Sequence, residues 1–219
     1  MVPGGVRMNV TRLTLGPLET NCWIVSDDHG GPAVIVDPAD DAPAILMALG
    51  DRAVAAIVLT HRHFDHIGAV REIMAQTHAP LFAHSMDAEA LSTSLGTGGA
   101  PFGFEQTAPR PDRLLEDGDL VETGSLTLTV LHTPGHTPGG ICLFAQDDSG
   151  EPPQLFAGDT LFAGSVGRTD FEGGDARALS RSIASKMAPL PENTLVHPGH
   201  GPDTTVGRER RLNPFFPRA

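Results

Sequence analysis

The sequence contains little cysteine, and its two cysteines show no pattern that would pair them. Cys22 and Cys142 form neither a CxxC motif nor a disulfide framework. Both lie in apolar segments that resemble strands, where a reduced and buried thiol is the expected state. A chain without a disulfide framework is typical of a reducing compartment, and we therefore expect a cytoplasmic protein.

Positive charge is scarce as well. The chain has 15 Lys and Arg residues against 27 Asp and Glu residues, which gives a formal net charge of −12. A field of this sign repels phosphate backbones and anionic lipid, so we expect neither nucleic acid nor a membrane as a partner. No apolar run approaches the roughly 20 residues that span a bilayer. Residues 1–10 lack the apolar run of a signal peptide.

The length and the order of apolar segments predict one α+β domain over residues 1–219. Strand patterns occur at 8–15, 22–26, 33–36, 55–59, 80–83, 126–131, 141–145, 154–157 and 194–196. Helical patterns occur at 41–49, 67–74, 87–95, 175–187 and 204–211. Groups of strands interrupted by helices predict two packed sheets with helices outside them.

The strongest chemical signal is the segment HRHFDH at 61–66, directly after a continuous apolar strand pattern. In an extended loop, residues two positions apart point to the same side, so His61 and His63 can bind one metal ion. Asp65 and His66 lie where the chain turns into the next helix and can face a second ion. A solvated polar loop is the alternative, but three further clusters supply the ligands that this segment lacks.

Each of the three further clusters follows the end of a strand pattern. In HTPGHTPG (132–139), the Pro-Gly turn holds His136 with little residual freedom. In GDT (158–160), Asp159 can direct its two carboxylate oxygens at two different metals. In HPGH (197–200), the turn holds His200. The remaining histidines are interpreted as packed, structural or surface residues: His29, His78, His84, His132 and His197.

The candidate ligands form two sets that share one residue. The first set offers three imidazoles: His61, His63 and His136. The second set offers one carboxylate and two imidazoles: Asp65, His66 and His200. Asp159 is predicted to bridge two divalent metal ions, so that each has four protein ligands and room for a shared water. Imidazoles and carboxylates without thiolate favour Zn, with Fe or Mn as alternatives, and a retained water is typical of a catalytic site.

Taken in order, the motifs HxHxDH, PGHT, GDT and PGHG resemble those of the metallo-β-lactamase superfamily, and the resemblance covers residues 10–203. Within the superfamily, the chain resembles the short glyoxalase II (hydroxyacylglutathione hydrolase-like) type. The supporting segments are TNC at 20–22, GDTLF at 158–162, GRTDF at 167–171 and ERRLNPF at 209–215. The resemblance implies an αβ/βα sandwich of two facing sheets flanked by helices, with the metals in a groove at one sheet edge.

The predicted site is typical of metal-dependent hydrolysis. Two ions about 3.5–4 Å apart make a metal-bound hydroxide available near neutral pH, and we expect it to attack an acyl thioester. Asp65 is predicted to orient that hydroxide as well as to bind the second ion. Hydrolysis of an S-lactoyl thiol to lactate and free thiol is the specific reaction we expect, with a small-molecule thioester as the partner.

The chain departs from the long glyoxalase II enzymes in the part that would bind glutathione. Those enzymes have a basic C-terminal helical region and hold glutathione with tyrosines, whereas only a short segment follows His200 here and tyrosine is absent. Asp170 and Pro202 lie where tyrosines would be expected. Arg168 lies at the position of a basic substrate-binding residue and is our candidate for pairing with a substrate carboxylate. The thiol carrier stays open, as does a substrate role for the arginines at 208, 210 and 211.

Other activities share these motifs. A persulfide dioxygenase resembles the same set but holds a single iron with two histidines and an aspartate, so iron content and oxygen uptake would distinguish it. A lactonase or a β-lactamase would use the same hydroxide, although no export pattern supports a β-lactamase. The negative charge and the lack of an inserted domain disfavour a nuclease. A non-catalytic binding module would hold metal without turnover.

Overall fold

The N-terminal part of the chain forms the first sheet of the computed structural model, which describes residues 6–147 and 149–216. Its six strands lie in chain order: β1 (Met8–Leu15), β2 (Thr20–Asp27), β3 (Ala33–Val36), β4 (Val54–Val58), β5 (Leu81–His84) and β6 (Arg113–Leu115). The strands β1, β2 and β3 are antiparallel, whereas β4, β5 and β6 each run parallel to the preceding strand.

The rest of the chain forms a second sheet and a small hairpin. The later strands are β7 (Leu120–Thr123), β8 (Leu126–His132), β9 (Ile141–Ala145), β10 (Gln154–Gly158), β11 (Leu161–Phe162), β12 (Ser165–Val166), β13 (Leu195–Pro198) and β14 (Thr204–Thr205). The second sheet has the order β14-β13-β10-β9-β8-β7, and β11 pairs with β12 as the hairpin. Only β10 and β13 are parallel in it; the other pairs are antiparallel.

Four of the five helices begin at a residue whose side chain caps them. The helices are α1 (Ala42–Leu49), α2 (Val70–Thr77), α3 (Ser85–Ala88), α4 (Ala176–Ser182) and α5 (Val206–Leu212), and α2 is the one without such a cap. The Asp41 side chain accepts a hydrogen bond from the Ala44 backbone N–H, and Asp175 caps α4 in the same way. Single 3₁₀ turns occur at Phe64–His66, Ala90–Ser92 and Ala100–Phe102, and a wider turn at Ile183–Met187 extends α4. Among the described residues, no helix has both the length and the apolar character of a membrane span.

Three apolar cores separate four layers of secondary structure. Alternate residues of β3 face opposite sides: Ile35 packs in a core with α1 and α2, whereas Val34 and Val36 pack against the second sheet. On the far side of the second sheet, Leu155 shares a third core with α4 and α5, where Leu179 is buried. The layers therefore run helix, sheet, sheet, helix, which confirms the α+β, αβ/βα sandwich. Cys22 and Cys142 are buried and free.

The structure differs from the sequence predictions in three helices. The helix predicted at 67–74 spans Val70–Thr77, and a 3₁₀ turn at Phe64–His66 precedes it. The segment predicted as a helix at 87–95 is not one helix, since α3 ends at Ala88 and a single 3₁₀ turn follows at Ala90–Ser92. The helix predicted at 204–211 begins at Val206. Thr204 and Thr205 pair with β13 instead, and the Thr205 side chain caps α5 by accepting from the Arg208 backbone N–H.

Candidate metal centre

The candidate ligands all follow the ends of strands or sit in the turns between them. The segment with His61 comes after β4 in the first sheet, and the turn with His136 joins β8 to β9 in the second. Asp159 follows β10 directly, and His200 lies two residues after β13. Because the two sheets face each other, four sequence-distant segments meet at one end of the sandwich.

The first set of ligands is buried and close together. His61, His63 and His136 have relative exposures of 3%, 5% and 4%. Their ligand nitrogens lie within 4.8 Å of one another, and His63 Nδ1 is 2.8 Å from His136 Nε2. Three imidazoles thus converge on one point, as predicted.

The second set is equally compact. The ligand atoms of Asp65, His66 and His200 lie within 4.8 Å of one another. Asp65 Oδ2 is 3.2 Å from His200 Nε2 and 3.6 Å from His66 Nε2. The carboxylate and two imidazoles that the sequence grouped together therefore converge on a second point.

Asp159 lies between the two sets. Its Oδ2 is 3.5 Å from His136 Nε2 in the first set and 3.7 Å from His200 Nε2 in the second. Its Oδ1 is 3.4 Å from His66 Nε2. This is the placement expected of a carboxylate that bridges two ions.

Three buried polar atoms of the site have no hydrogen-bond partner: His61 Nε2, His66 Nε2 and Asp159 Oδ1. Leaving buried polar atoms unpaired costs about 1–3 kcal/mol each, so their convergence indicates that they serve something other than the fold. Metal cations would satisfy all three atoms, and imidazoles with carboxylates are the donors that Zn, Fe and Mn accept in proteins. The residues therefore fit a divalent metal site.

Asp37 positions two of the histidines. The sequence did not indicate this role, because Asp37 directly follows the strand pattern at 33–36 and belongs to none of the ligand motifs. Asp37 is 1% exposed. Its Oδ2 lies 2.9 Å from His66 Nδ1 and accepts from the Thr60 hydroxyl at 2.6 Å, and its Oδ1 accepts from the Thr60 backbone N–H at 2.7 Å. Thr60 Oγ1 in turn lies 3.0 Å from His61 Nδ1. Because Asp37 contacts Nδ1 of His66 directly and Nδ1 of His61 through Thr60, it orients the two ligands and does not form a third site.

Backbone carbonyls orient two other ligands. The Nδ1 of His136 lies 2.7 Å from the Arg168 carbonyl oxygen, and the Nδ1 of His200 lies 3.0 Å from that of Leu18. In each case the hydrogen bond fixes Nδ1 as the donor, so that Nε2 faces the other ligands and can bind a cation.

Asp87 ties the two histidine-bearing loops together. Its carboxylate accepts hydrogen bonds from the Arg62 backbone N–H at 3.1 Å, the Thr137 hydroxyl at 2.7 Å and the Gly139 backbone N–H at 2.8 Å. Gly139 must be glycine, because a Cβ there would lie 2.7 Å from the Asp87 backbone nitrogen. The first histidine loop and the PGHT turn are therefore fixed relative to each other.

Asn21 holds the last ligand turn, which explains the TNC segment near the start of the chain. Its side-chain amide donates to the carbonyl oxygens of Pro198 at 3.0 Å and Gly201 at 2.9 Å. Gly199 in that turn packs directly on the ligands, since a Cβ would lie 2.2 Å from Asp159 Oδ1 and 2.7 Å from His66 Cε1. The PGHG turn thus needs both glycine and the Asn21 anchor.

The electrostatics of the site suit cation binding. Burial lowers the pKa of His61, and burial with the nearby His136 lowers the pKa of His63 to about 3. Burial alone would raise the pKa of Asp159, but attraction to His66 lowers it to about 2. Burial would lower the pKa of His66, yet the carboxylates of Asp65, Asp159 and Asp37 raise it. Neutral imidazoles and ionised carboxylates are the forms that bind metal, and a bound cation would replace the charge on His66.

Arg168 lies on the wall of a cleft of about 420 Å³ that opens onto the ligands. Its guanidinium is paired with Asp170, through Nε to Oδ1 at 2.7 Å and Nη2 to Oδ2 at 2.8 Å. It also stacks 3.7 Å from the centre of the Phe171 ring. The sequence placed Arg168 near the substrate but gave no indication of this pairing.

The histidines that were interpreted as structural lie away from the ligand atoms. His132 stacks on His84 with ring centres 3.9 Å apart, and its Nε2 lies 2.9 Å from the Pro138 carbonyl oxygen. His197 packs on Trp23 at 4.6 Å and lies 2.6 Å from Gln154 Oε1 through Nε2. Both contacts agree with a packing role.

Substituting alanine for His132 or His197 is expected to leave metal content unchanged, because neither ring joins a ligand set. His197→Ala should still lower the free energy of unfolding by about 1–3 kcal/mol, since it removes a buried ring from an aromatic cluster. Metal analysis of each variant and a urea unfolding curve check the two effects separately. Loss of an ion in either variant would show that the wrong histidine of its motif had been assigned as ligand.

The comparisons with known proteins agree with this geometry. The family model described as the metallo-beta-lactamase superfamily matches residues 15–200. The probable metallo-hydrolase YqgX of Bacillus subtilis is 37% identical over 213 residues, which is 95% of this chain and 98% of that protein. The hydroxyacylglutathione hydrolase GloC of Haemophilus influenzae is 33% identical over 213 residues, with the same two coverages.

Three solved structures extend the comparison. The BLEG-1 B3 metallo-beta-lactamase has a TM-score of 0.88 and 39% identity, covering 94% of this chain and 99% of its own. TTHA1623 in a di-iron-bound form has a TM-score of 0.79 and 38% identity, covering 94% and 100%. ETHE1 from Myxococcus xanthus has a TM-score of 0.77 and 28% identity, covering 94% and 83%.

Proposed function

The chain belongs to the metallo-β-lactamase superfamily, and we propose that within it the chain is a binuclear metal-dependent hydrolase of acyl thioesters. The observation that carries the proposal is the pair of ligand sets around Asp159, with three buried ligand atoms that have no hydrogen-bond partner. The similarity to the Haemophilus hydroxyacylglutathione hydrolase, over nearly the whole of both chains, supports the thioester as substrate. The buried free thiols of Cys22 and Cys142 suit a cytoplasmic location.

The proposed ligands of one ion are His61, His63 and His136, and those of the other are Asp65, His66 and His200, with Asp159 shared. Zinc is our proposed metal, and the di-iron form of TTHA1623 supports iron as the alternative. When bound, two such ions lower the pKa of water to near neutrality and polarise a carbonyl group.

Asp65 is the residue proposed to orient the attacking water. It lines the cleft, and its Oδ2 accepts a hydrogen bond from the Thr20 hydroxyl at 3.2 Å. Burial would raise the pKa of Asp65, but the imidazoles of His66 and His200 lower it. The carboxylate thus stays ionised and able to accept a hydrogen bond from water on the side facing the ligands.

The overall reaction is the addition of water to the thioester carbonyl and cleavage of the carbon–sulfur bond, which yields a carboxylic acid and a thiol. Free thiols have a pKa of about 8.5, so the sulfur leaves as a thiolate that takes up a proton from solvent. This fits a cleft whose lining residues, apart from the proposed metal ligands, provide no cationic acid other than the Arg168 guanidinium.

The test is hydrolysis of S-lactoylglutathione by protein loaded with zinc or iron, followed as the loss of thioester absorbance. We expect turnover that a chelator abolishes and that added metal restores. A protein that holds its metals and yet cleaves no thioester would overturn the proposal. Glutathione persulfide with oxygen-uptake measurement belongs in the same panel because of the likeness to ETHE1. A β-lactam belongs there because of the likeness to BLEG-1.

A further inference from the structure

The cleft that opens onto the metal ligands is lined mainly by apolar side chains. Apart from the ligands and Arg168, the residues that line it are Leu18, Phe64, Phe102, Phe104 and Phe171. Aromatic residues make up only 5% of the chain, so four phenylalanines around one cleft are a concentration of a scarce residue type. A pocket with an apolar wall and a few polar groups at one end is typical of small-molecule sites.

These side chains form a continuous surface from the ligands to the mouth of the cleft. Phe171 packs against the ligand His63 with ring centres 5.6 Å apart, and Phe102 packs against Phe171 at 5.8 Å. On the other side, Phe104 stacks on Phe64 at 4.6 Å. Phe102 is 57% exposed. A large apolar side chain exposed at the rim of a site marks surface that a ligand can cover.

Apart from the proposed metal ions and their ligands, the cleft offers no unpaired cation to an anionic substrate. Arg168 is the one Lys or Arg among the residues that line it, and both of its hydrogen bonds go to the carboxylate of Asp170. A bidentate pair of this kind neutralises the guanidinium and fixes its orientation. The net charge of −12 adds a field that disfavours anions generally. A thiol that carries carboxylates, as glutathione does, would therefore find no unpaired Lys or Arg side chain among the lining residues.

From these observations we infer that the thioester carries an uncharged apolar group of about the size of a phenyl ring, which binds on Phe102 and Phe171. Asp170 disfavours anionic thiols by pairing with Arg168. The inference rests on the proposed hydrolysis of thioesters and names the class of thioester. In this arrangement Arg168 contacts the substrate while Asp170 offsets its charge. Asp170 acts through Arg168 and is a specificity-determining residue.

The experiment uses four thioesters that combine two acyl groups with two thiols. Lactoyl and 3-phenylpropionyl are the acyl groups, and glutathione and the uncharged N-acetylcysteamine are the thiols. For the metal-loaded protein, we expect kcat/KM to rise about 10- to 100-fold when the phenyl group replaces the lactoyl group, and to be higher for N-acetylcysteamine than for glutathione. The two acyl groups are compared on the same thiol, so the reactivity of the leaving group is the same in each comparison.

Three variants test the residues. Phe102→Ala should remove most of the phenyl preference, mainly through KM, whereas the matched control Phe215→Ala should keep it, because Phe215 is 56% exposed but lies outside the cleft. Asp170→Asn should raise kcat/KM several-fold for the glutathione thioesters relative to the N-acetylcysteamine thioesters. Adding Arg168→Ala to Asp170→Asn should cancel that gain.

A binding measurement separates this inference from the proposed function. The thioether S-(3-phenylpropyl)-N-acetylcysteamine has no thioester carbonyl and cannot undergo thioester hydrolysis, and calorimetry should show that it binds the metal-loaded protein more tightly than it binds Phe102→Ala. That result would stand even if no thioester were cleaved, in which case only the proposed function would fail. Equal kcat/KM for phenyl and lactoyl thioesters, with equal thioether binding by Phe102→Ala and Phe215→Ala, would overturn the inference.

Discussion

Replacing Asp159 with alanine is expected to release at least one metal ion from each chain and to reduce thioester hydrolysis to background. The two oxygens of Asp159 face both ligand sets, at 3.5 Å from His136 Nε2 and 3.4 Å from His66 Nε2. Removing the carboxylate therefore takes one ligand from each proposed ion. It also removes the negative charge that offsets two cations held close together. Metal analysis after desalting, with an S-lactoylglutathione assay on the same sample, measures both effects.

Asp203→Ala provides the control for a general effect of losing an aspartate near the site. Asp203 lies 3.5 Å from His197 Nδ1 and pairs with Arg12 at 3.4 Å, but it belongs to neither ligand set. That variant should keep both ions and most of its activity. If Asp159→Ala kept both ions as firmly as Asp203→Ala does, Asp159 would not be the bridge.

Asp37→Ala has the second-largest expected effect, although Asp37 is not a proposed ligand. Its carboxylate fixes His66 through Nδ1 at 2.9 Å and accepts from the Thr60 hydroxyl, which contacts His61. Loss of a group that orients a ligand histidine typically weakens metal binding by about 10- to 100-fold. We expect that loss at the ion bound by His66, together with a fall in activity that excess metal partly restores. Titration with metal in a competing chelator measures the affinity.

Asp27→Ala is the matched control for Asp37→Ala. Asp27 is also buried at the end of a strand, at 2% exposure, and it accepts backbone hydrogen bonds from Gly31 and Ser125. It lies at the opposite end of β2 from Thr20, which contacts Asp65. Asp27→Ala should lower the stability without changing metal affinity. An equal loss of affinity in both variants would mean that Asp37 acts only through the fold.

The proposed ligands could be found in the sequence because they are clustered in short motifs at strand ends. Residues two apart in an extended loop share a side, and Pro-Gly turns allow few conformations. Those local rules were enough to place His61 with His63 and to choose His136 over His132. The structure brings these groups together through two facing sheets, whose register no local pattern specifies.

Residues that support the site were harder to find because their partners are distant in sequence. Asp37 directly follows β3. Its hydrogen-bond partners Thr60 and His66 lie more than twenty residues later in the chain. Asp87 lies in a segment whose pattern predicts a helix. Its carboxylate accepts hydrogen bonds from the first histidine loop and from the PGHT turn. An aspartate directly after a buried strand, at the same level as the ligand loops, is the signal that could have revealed Asp37.

Two short strands at the edges of the sheets were also difficult to predict from the sequence. The strands β6 (Arg113–Leu115) and β7 (Leu120–Thr123) were not predicted, because they are short and carry charged residues that also suit loops. They form only by pairing with β5 and β8. A count of charged residues likewise does not show that Arg168 pairs with Asp170. We infer that this pair determines which thiols the cleft accepts.

The most direct test of the proposed binuclear site is the metal content of the purified chain after incubation with excess zinc and removal of unbound metal. The geometry of the two ligand sets predicts two ions per chain, falling to one or none in Asp159→Ala and staying at two in His132→Ala and His197→Ala. One ion per chain in the unchanged protein, held equally well without Asp159, would contradict the shared carboxylate and with it the proposed mechanism.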